Sequence, residues 1–304
     1  MPHALTQKNS ALHFFHRLTL SVLLLFLPVS HALAELMLYP TRIVFAGNQR
    51  AAQLELINNG TESATYRISL VNRRMSETGA FSEIDVALPG EQFAEDLLRY
   101  SPRQVTLAPG AGQAVRIMVR KPANLAAGEY RSHMLFAQQP DPSGRTSVES
   151  SDAAADNEIG ITLTALIGAS IPVIVRHGNT DASVALTRLD LQQPADEAPV
   201  LAFVVERSGN RSVYGDLTIS FTPNSGSEQV IARANGVAVY TPNPLRRASI
   251  TLGQLNGSRL TNGALRVTYR EQAEDGGALL AEAVSRDPFN WPSEMLPRRK
   301  VFGV

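Results

Sequence analysis

The stretch GITLTALIGASIPVIV, residues 160 to 175, is apolar at every odd position from Ile161 to Val175, while its even positions are mostly Thr, Gly, Ser or Pro. Side chains alternate between the two faces of an extended strand, so a period of two demands β structure and conflicts with the 3.6-residue period of a helix. One account is an interior sandwich strand, with one face on the core and the other on solvent or the opposite sheet. Length and Pro172 favour another. The run far exceeds the usual 5 or 6 residues of a strand, and a ladder tolerates proline chiefly at a sheet edge. A long apolar edge invites pairing with another chain, and proteins normally blunt such edges.

The same alternation recurs in shorter form along the chain. AAQLELIN (51–58) places Ala52, Leu54 and Leu56 on one face and is stopped by the turn residues NNGT. ATYRISLVN follows, then a turn region at MSETGAFSE. RQVTLAPGAGQAVRIMVRK reads as two strands around Pro109-Gly110, with the glycines of 110–112 in a hairpin turn, and GEYRSHMLFAQQ comes next. Beyond RHGN (176–179), a second set runs from SVALTRLDL through PVLAFVVERSG, YGDLTISFTP, EQVIARANGVAVYTP and RRASITL to GALRVTYREQ. The pattern predicts an all-β protein of two sandwich domains, over 35–177 and 178–285, followed by a proline-containing tail, 286–304, without strand alternation. Residues 139–158, QPDPSGRTSVESSDAAADNE, are polar, acidic and small, and predict a mobile loop that leads into the long alternating strand.

Residues 1–34 read as a secretory signal peptide, with a weakly basic start (Lys8, Arg17), the apolar run LTLSVLLLFLPV and small residues at Ala32 and Ala34. The apolar run is short of the roughly 20 residues a membrane span needs. Export without membrane insertion is therefore expected. The chain has no cysteine, so burial alone must hold each domain. Its 28 basic and 28 acidic residues balance, which argues against nucleic acid as a partner. His133 and His177 lie in no metal-type cluster, and no nucleophile elbow, phosphate-cradling loop or His-Glu-x-x-His is present. Neither an enzyme nor a cofactor is expected.

Several segments resemble the periplasmic chaperones of the chaperone/usher pathway, which assemble pili. They are YPTRIVFAGNQRAAQLELINNGTESATYRIS (39–69), YSPRQVTLAPGAGQAVRI (100–117), GEYRSHMLF (128–136) and SIPVIVRHG (170–178), with a looser likeness over VAVYTPNPLRRASITL and LTNGALRVTY. The resemblance implies two immunoglobulin-like domains meeting at an angle. It further implies that the last strand of the first domain lends apolar side chains to a pilin or fimbrial subunit that lacks a strand of its own, before an outer-membrane usher receives that subunit. Counted back from Arg176, which matches the arginine ending the family's donor strand, the groove-filling residues are Leu163, Ala165 and Ile167, extended by Ile161. Thr41-Arg42 matches the family's Thr-Arg pair, whose arginine binds the subunit's terminal carboxylate.

Two positions depart from the family. The lysine that partners this arginine, four residues before Arg176, is replaced by Pro172, and the mature chain's two lysines, Lys121 and Lys300, lie elsewhere. The acidic residue of the preceding strand has no clean match, with Glu129 or Arg131 nearby, so Arg176 is expected to serve interdomain packing through a partner left open. Self-dimerisation through the free edge is also left open. A secreted β-sandwich adhesive or structural module is the competing reading.

Overall fold

A computed structural model describes residues 36–84, 86–140, 168–192, 197–253, 260 and 263–285. The expected signal peptide, nearly all of the expected 139–158 loop, the positions 161–167 expected to fill a groove and the expected tail 286–304 lie outside the described residues. Within them the chain is all β, and only two 3-10 turns, Glu95–Leu97 and Ala273–Asp275, interrupt the strands.

The first eleven strands are β1 (Leu36–Tyr39), β2 (Ile43–Phe45), β3 (Ala51–Asn58), β4 (Ala64–Val71), β5 (Arg73–Met75), β6 (Phe81–Glu83), β7 (Leu98–Ser101), β8 (Gln104–Leu107), β9 (Gly112–Val119), β10 (Gly128–Gln138) and β11 (Gly168–His177). They form two sheets, ordered β1-β3-β9-β7 and β2-β11-β10-β4-β8, with β5 and β6 as a small separate hairpin. The sheets enclose one core, in which Phe45, Leu54, Leu56, Ile117, Met134, Phe136, Val173 and Val175 are buried. The odd residues of β11 thus face inward, as their alternation requires.

At Pro40–Arg42 the chain leaves one sheet for the other: β1 pairs antiparallel with β3, and β2 pairs parallel with β11. That second pairing covers only Ile43–Phe45 against Val173–Val175. Over Gly168–Pro172, β11 pairs with β10 alone among the described residues, so Pro172 sits where its strand is an edge.

The turn at Gly110 (φ 72°) differs from the expected hairpin. β8 pairs with β4 and β9 with β3 and β7, so the turn is an arch between the two sheets. Buried Asn58 holds it there: its side-chain amide donates to the carbonyls of Leu107 and Glu62, and its own carbonyl accepts from the Gly110 N–H. MSETGAFSE, expected as a turn, is the β5–β6 hairpin with Gly79 at its tip.

The second set comprises β12 (Ala182–Gln192), β13 (Val200–Gly209), β14 (Val213–Pro223), β15 (Gln229–Val239), β16 (Leu245–Thr251), β17 (Gly263–Glu271) and β18 (Leu279–Ser285). These build sheets ordered β12-β13-β16 and β15-β14-β17-β18 around a separate core that includes Leu201, Leu217, Ile219, Phe221, Leu265, Val267 and Tyr269. A bulge at Arg188 (φ 50°) shifts the inward parity of β12 by one, from Val184 and Leu186 to Leu189 and Leu191, so both halves reach the core. β18 is a strand that the sequence pattern does not reveal, because in LLAEAVS small alanines blur the alternation.

The two sets meet through a third cluster, Met75, Ile174, Ala238 and Tyr240, with Val44 and Tyr214 against it. The β5–β6 hairpin docks beside it: Asn243 donates its side-chain amide to the Met75 carbonyl, and the Arg247 N–H donates to the Glu77 carbonyl.

Candidate functional site

β10 explains how polar side chains come to line the boundary between the domains. Its even residues Met134 and Phe136 enter the first core, while Glu129, Arg131 and His133 project from the opposite face and are all buried. Arg131 lies 4.4 Å over the Tyr240 ring, and His133 meets Phe81 edge-on at 5.1 Å. Burial, with Arg131 and Arg73 nearby, pushes the His133 imidazole down to about 3, so it is neutral at physiological pH. Burial likewise pushes the Tyr240 phenol up to about 12.

Arg176 reaches the same face from β11. Its Nε donates to Glu129 Oε2 at 3.0 Å, and that oxygen also accepts the backbone N–H of Ser212, from the second domain, at 3.2 Å. Glu129 is therefore the acidic partner of Arg176, and Arg131 is not. Both candidates project from one face of β10, so strand parity could not choose between them; reach does. Burial lowers the Arg176 pKa and Glu129 opposes that shift, while Arg211 and Arg42 add repulsion. The Arg176 carbonyl accepts Lys121 Nζ at 2.7 Å, which engages the one described lysine with backbone.

Arg42 occupies the joint between β1 and β2. Its Nη1 donates to Asp275 Oδ2 at 2.7 Å, and its guanidinium lies 4.6 Å over the Tyr214 ring. Asp275 belongs to the 3-10 turn between β17 and β18, and Tyr214 to β14, so the second domain supplies both contacts. Burial raises the Tyr214 pKa while Arg42 lowers it. Close by, Arg211, in the turn between β13 and β14, lies 3.5 Å from Glu271. Arg42, Arg176 and Arg211 together with Tyr214, Glu271 and Asp275 line a cleft of about 230 Å³.

The structure thus brings Arg42 and Arg176 together, whereas Ile161, Leu163, Ala165 and Ile167 lie outside the described residues. Arg211, Tyr214 and Asp275 escaped the sequence reading. They stand in turns or near strand ends of the second domain, where no periodicity signals which residues face the first. Chemically, the cleft offers guanidinium donors suited to oxygen anions. Among the described residues no group of three or more His, Cys, Asp or Glu side chains could hold a metal ion.

No protein-family model matches the chain, and no curated protein matches it. Solved structures do. One is the CsuC–CsuE chaperone–tip adhesion subunit pre-assembly complex from archaic chaperone–usher Csu pili of Acinetobacter baumannii, at 12% identity over 82% of this chain and 98% of that chain, TM-score 0.43. Another is the Pseudomonas aeruginosa CupB2 chaperone, at 10% identity over 83% and 100%, TM-score 0.37. A third is the Salmonella enterica SafA pilin in complex with the SafB chaperone, at 15% identity over 84% and 98%, TM-score 0.36.

Proposed function

We propose that this protein is a non-enzymatic periplasmic chaperone that binds pilin or fimbrial subunits by lending them a strand and delivers them to an outer-membrane usher. The observation that carries this reading is the free edge of β11. Among the described residues that strand pairs over Gly168–Pro172 only with β10, and the inward parity of Ile171, Val173 and Val175 is also the sequence parity of Ile161, Leu163, Ala165 and Ile167. In this reading those four residues fill a subunit's groove, and Arg42 takes the subunit's terminal carboxylate in the cleft between the domains. Arg176 holds the domains together through Glu129. Residues 1–34 direct export, and no cofactor takes part.

Each large aliphatic buried in a subunit contributes about 1.5–3 kcal/mol, so one buried aspartate in its place is expected to abolish the complex. The mature protein is purified from the periplasm of cells producing the subunits, and what comes with it is identified by mass spectrometry. A small β-rich secreted subunit is expected with the native protein and is lost with Ile167→Asp, while the variant stays folded. Recovery of the protein alone would sink the proposal in favour of an adhesive or structural module. Unfolding of Ile167→Asp would instead assign the strand to the protein's own core.

A further inference from the structure

The cleft gathers more guanidinium than its ion pairs use. Arg176 is committed, since its Nε bonds to Glu129 in a contact closed by the Ser212 N–H. Arg42 and Arg211 are not. Arg42 holds Asp275 through Nη1, Arg211 stands 3.5 Å from Glu271, beyond the 2.7–2.9 Å of a charge-assisted bond, and the Nε–H groups of both arginines are buried without a hydrogen-bond acceptor. Unmet guanidinium donors from two domains, around a cleft several times the roughly 30 Å³ of one water, call for an oxygen anion.

Asp275 already supplies one carboxylate. It sits on a short turn, its side chain is 38% exposed, and Gly276 follows in the left-handed region (φ 108°). The geometry points to Arg42 and Arg211 as a two-guanidinium clamp for the terminal carboxylate of a bound chain, with Asp275 as the internal carboxylate that this terminus displaces. The inference rests on the chaperone reading and deepens it: Arg211, from the second domain, supplies the second cation that Pro172 cannot. The exchange swaps one carboxylate for another. Arg42 therefore keeps a carboxylate partner in the free protein, and Asp275 sets how readily the clamp opens.

The test uses the mature protein with labelled arginine side chains, titrated with N-acetyl-alanyl-alanine as the free acid and as its amide, and reads the Nε–Hε resonances of Arg42 and Arg211. The acid is expected to shift both resonances and the amide neither. If Asp275 occupies the clamp nine-tenths of the time, Asp275→Asn tightens acid binding about tenfold. Arg211→Gln added to that variant cancels the gain. Should it disturb the backbone amide spectrum, Arg211→Lys is read instead and is expected to lose most of the gain, because an ammonium provides no planar fork. Equal shifts from acid and amide, unchanged affinity in Asp275→Asn, or undiminished affinity without Arg211 would each overturn the clamp. No subunit is needed for this readout. A failed titration alongside intact subunit capture removes the clamp alone, and a successful titration without capture removes the chaperone reading alone.

Discussion

Arg42 immediately precedes β2 and Arg176 lies on β11, its neighbour in one sheet, and both reach carboxylates at the domain boundary, yet their surroundings differ. The Glu129 carboxylate opposite Arg176 is fully sealed, and one of its oxygens accepts donors from both domains. The Asp275 carboxylate opposite Arg42 is 38% exposed on a surface turn. A sealed charge has no solvent to fall back on when its partner goes, whereas an exposed one is rehydrated at little cost. The same pairing of residue types therefore acts in one place as a fixture and in the other as a contact that can be exchanged.

Cutting the sealed side should have the largest effect. Glu129→Ala leaves the Arg176 guanidinium buried without its partner and removes the acceptor of the Ser212 N–H, so a loss of about 3–5 kcal/mol in urea unfolding is expected. A loss below ~1 kcal/mol would place both pairs in the exchangeable class.

Acid probes the same buried face with a smaller effect. His133 stays neutral in the fold down to about pH 3, whereas in the unfolded chain it protonates near its ordinary 6.5. As pH falls between those values the unfolded state takes up the proton, and stability drops with a slope approaching about 1.4 kcal/mol per pH unit. His133→Gln should remove this contribution. Between pH 6 and pH 4 the native protein is expected to lose roughly 2 kcal/mol more than the variant, and parallel curves would show that His133 is hydrated. The smallest effect belongs to the exposed pair. Asp275→Asn should move the unfolding free energy by less than about 1 kcal/mol, and a larger loss in the same urea titration would make Asp275 a second fixture.

Much of the architecture is legible in the sequence because inward side chains must alternate. Leu54 and Leu56, or Val184 and Leu186, announce their strands directly, and the all-β class follows from them. Sheet membership is harder to read. Pro109-Gly110 suits a hairpin and an arch equally, and the choice lies with Asn58, some fifty residues earlier, which ties the turn across the sandwich. In the site, Arg42 is marked by the Thr41-Arg42 pair. Arg211 and Asp275 are ordinary turn residues until the domains dock, and docking leaves no period in a sequence.

β2 occupies the exposed margin of β11 from Val173 onward, and Arg42 is the residue immediately before β2 begins. A strand from another molecule laid along the preceding margin, parallel to β11, would run head-on into β2 and have to stop by Pro172. Its last residue would come to rest beside Arg42. In the proposed reading the fold would act as a ruler whose end stop is a strand and whose reading mark is a positive charge: a visiting chain ending at the stop would present its carboxylate there, and one continuing past it would meet β2.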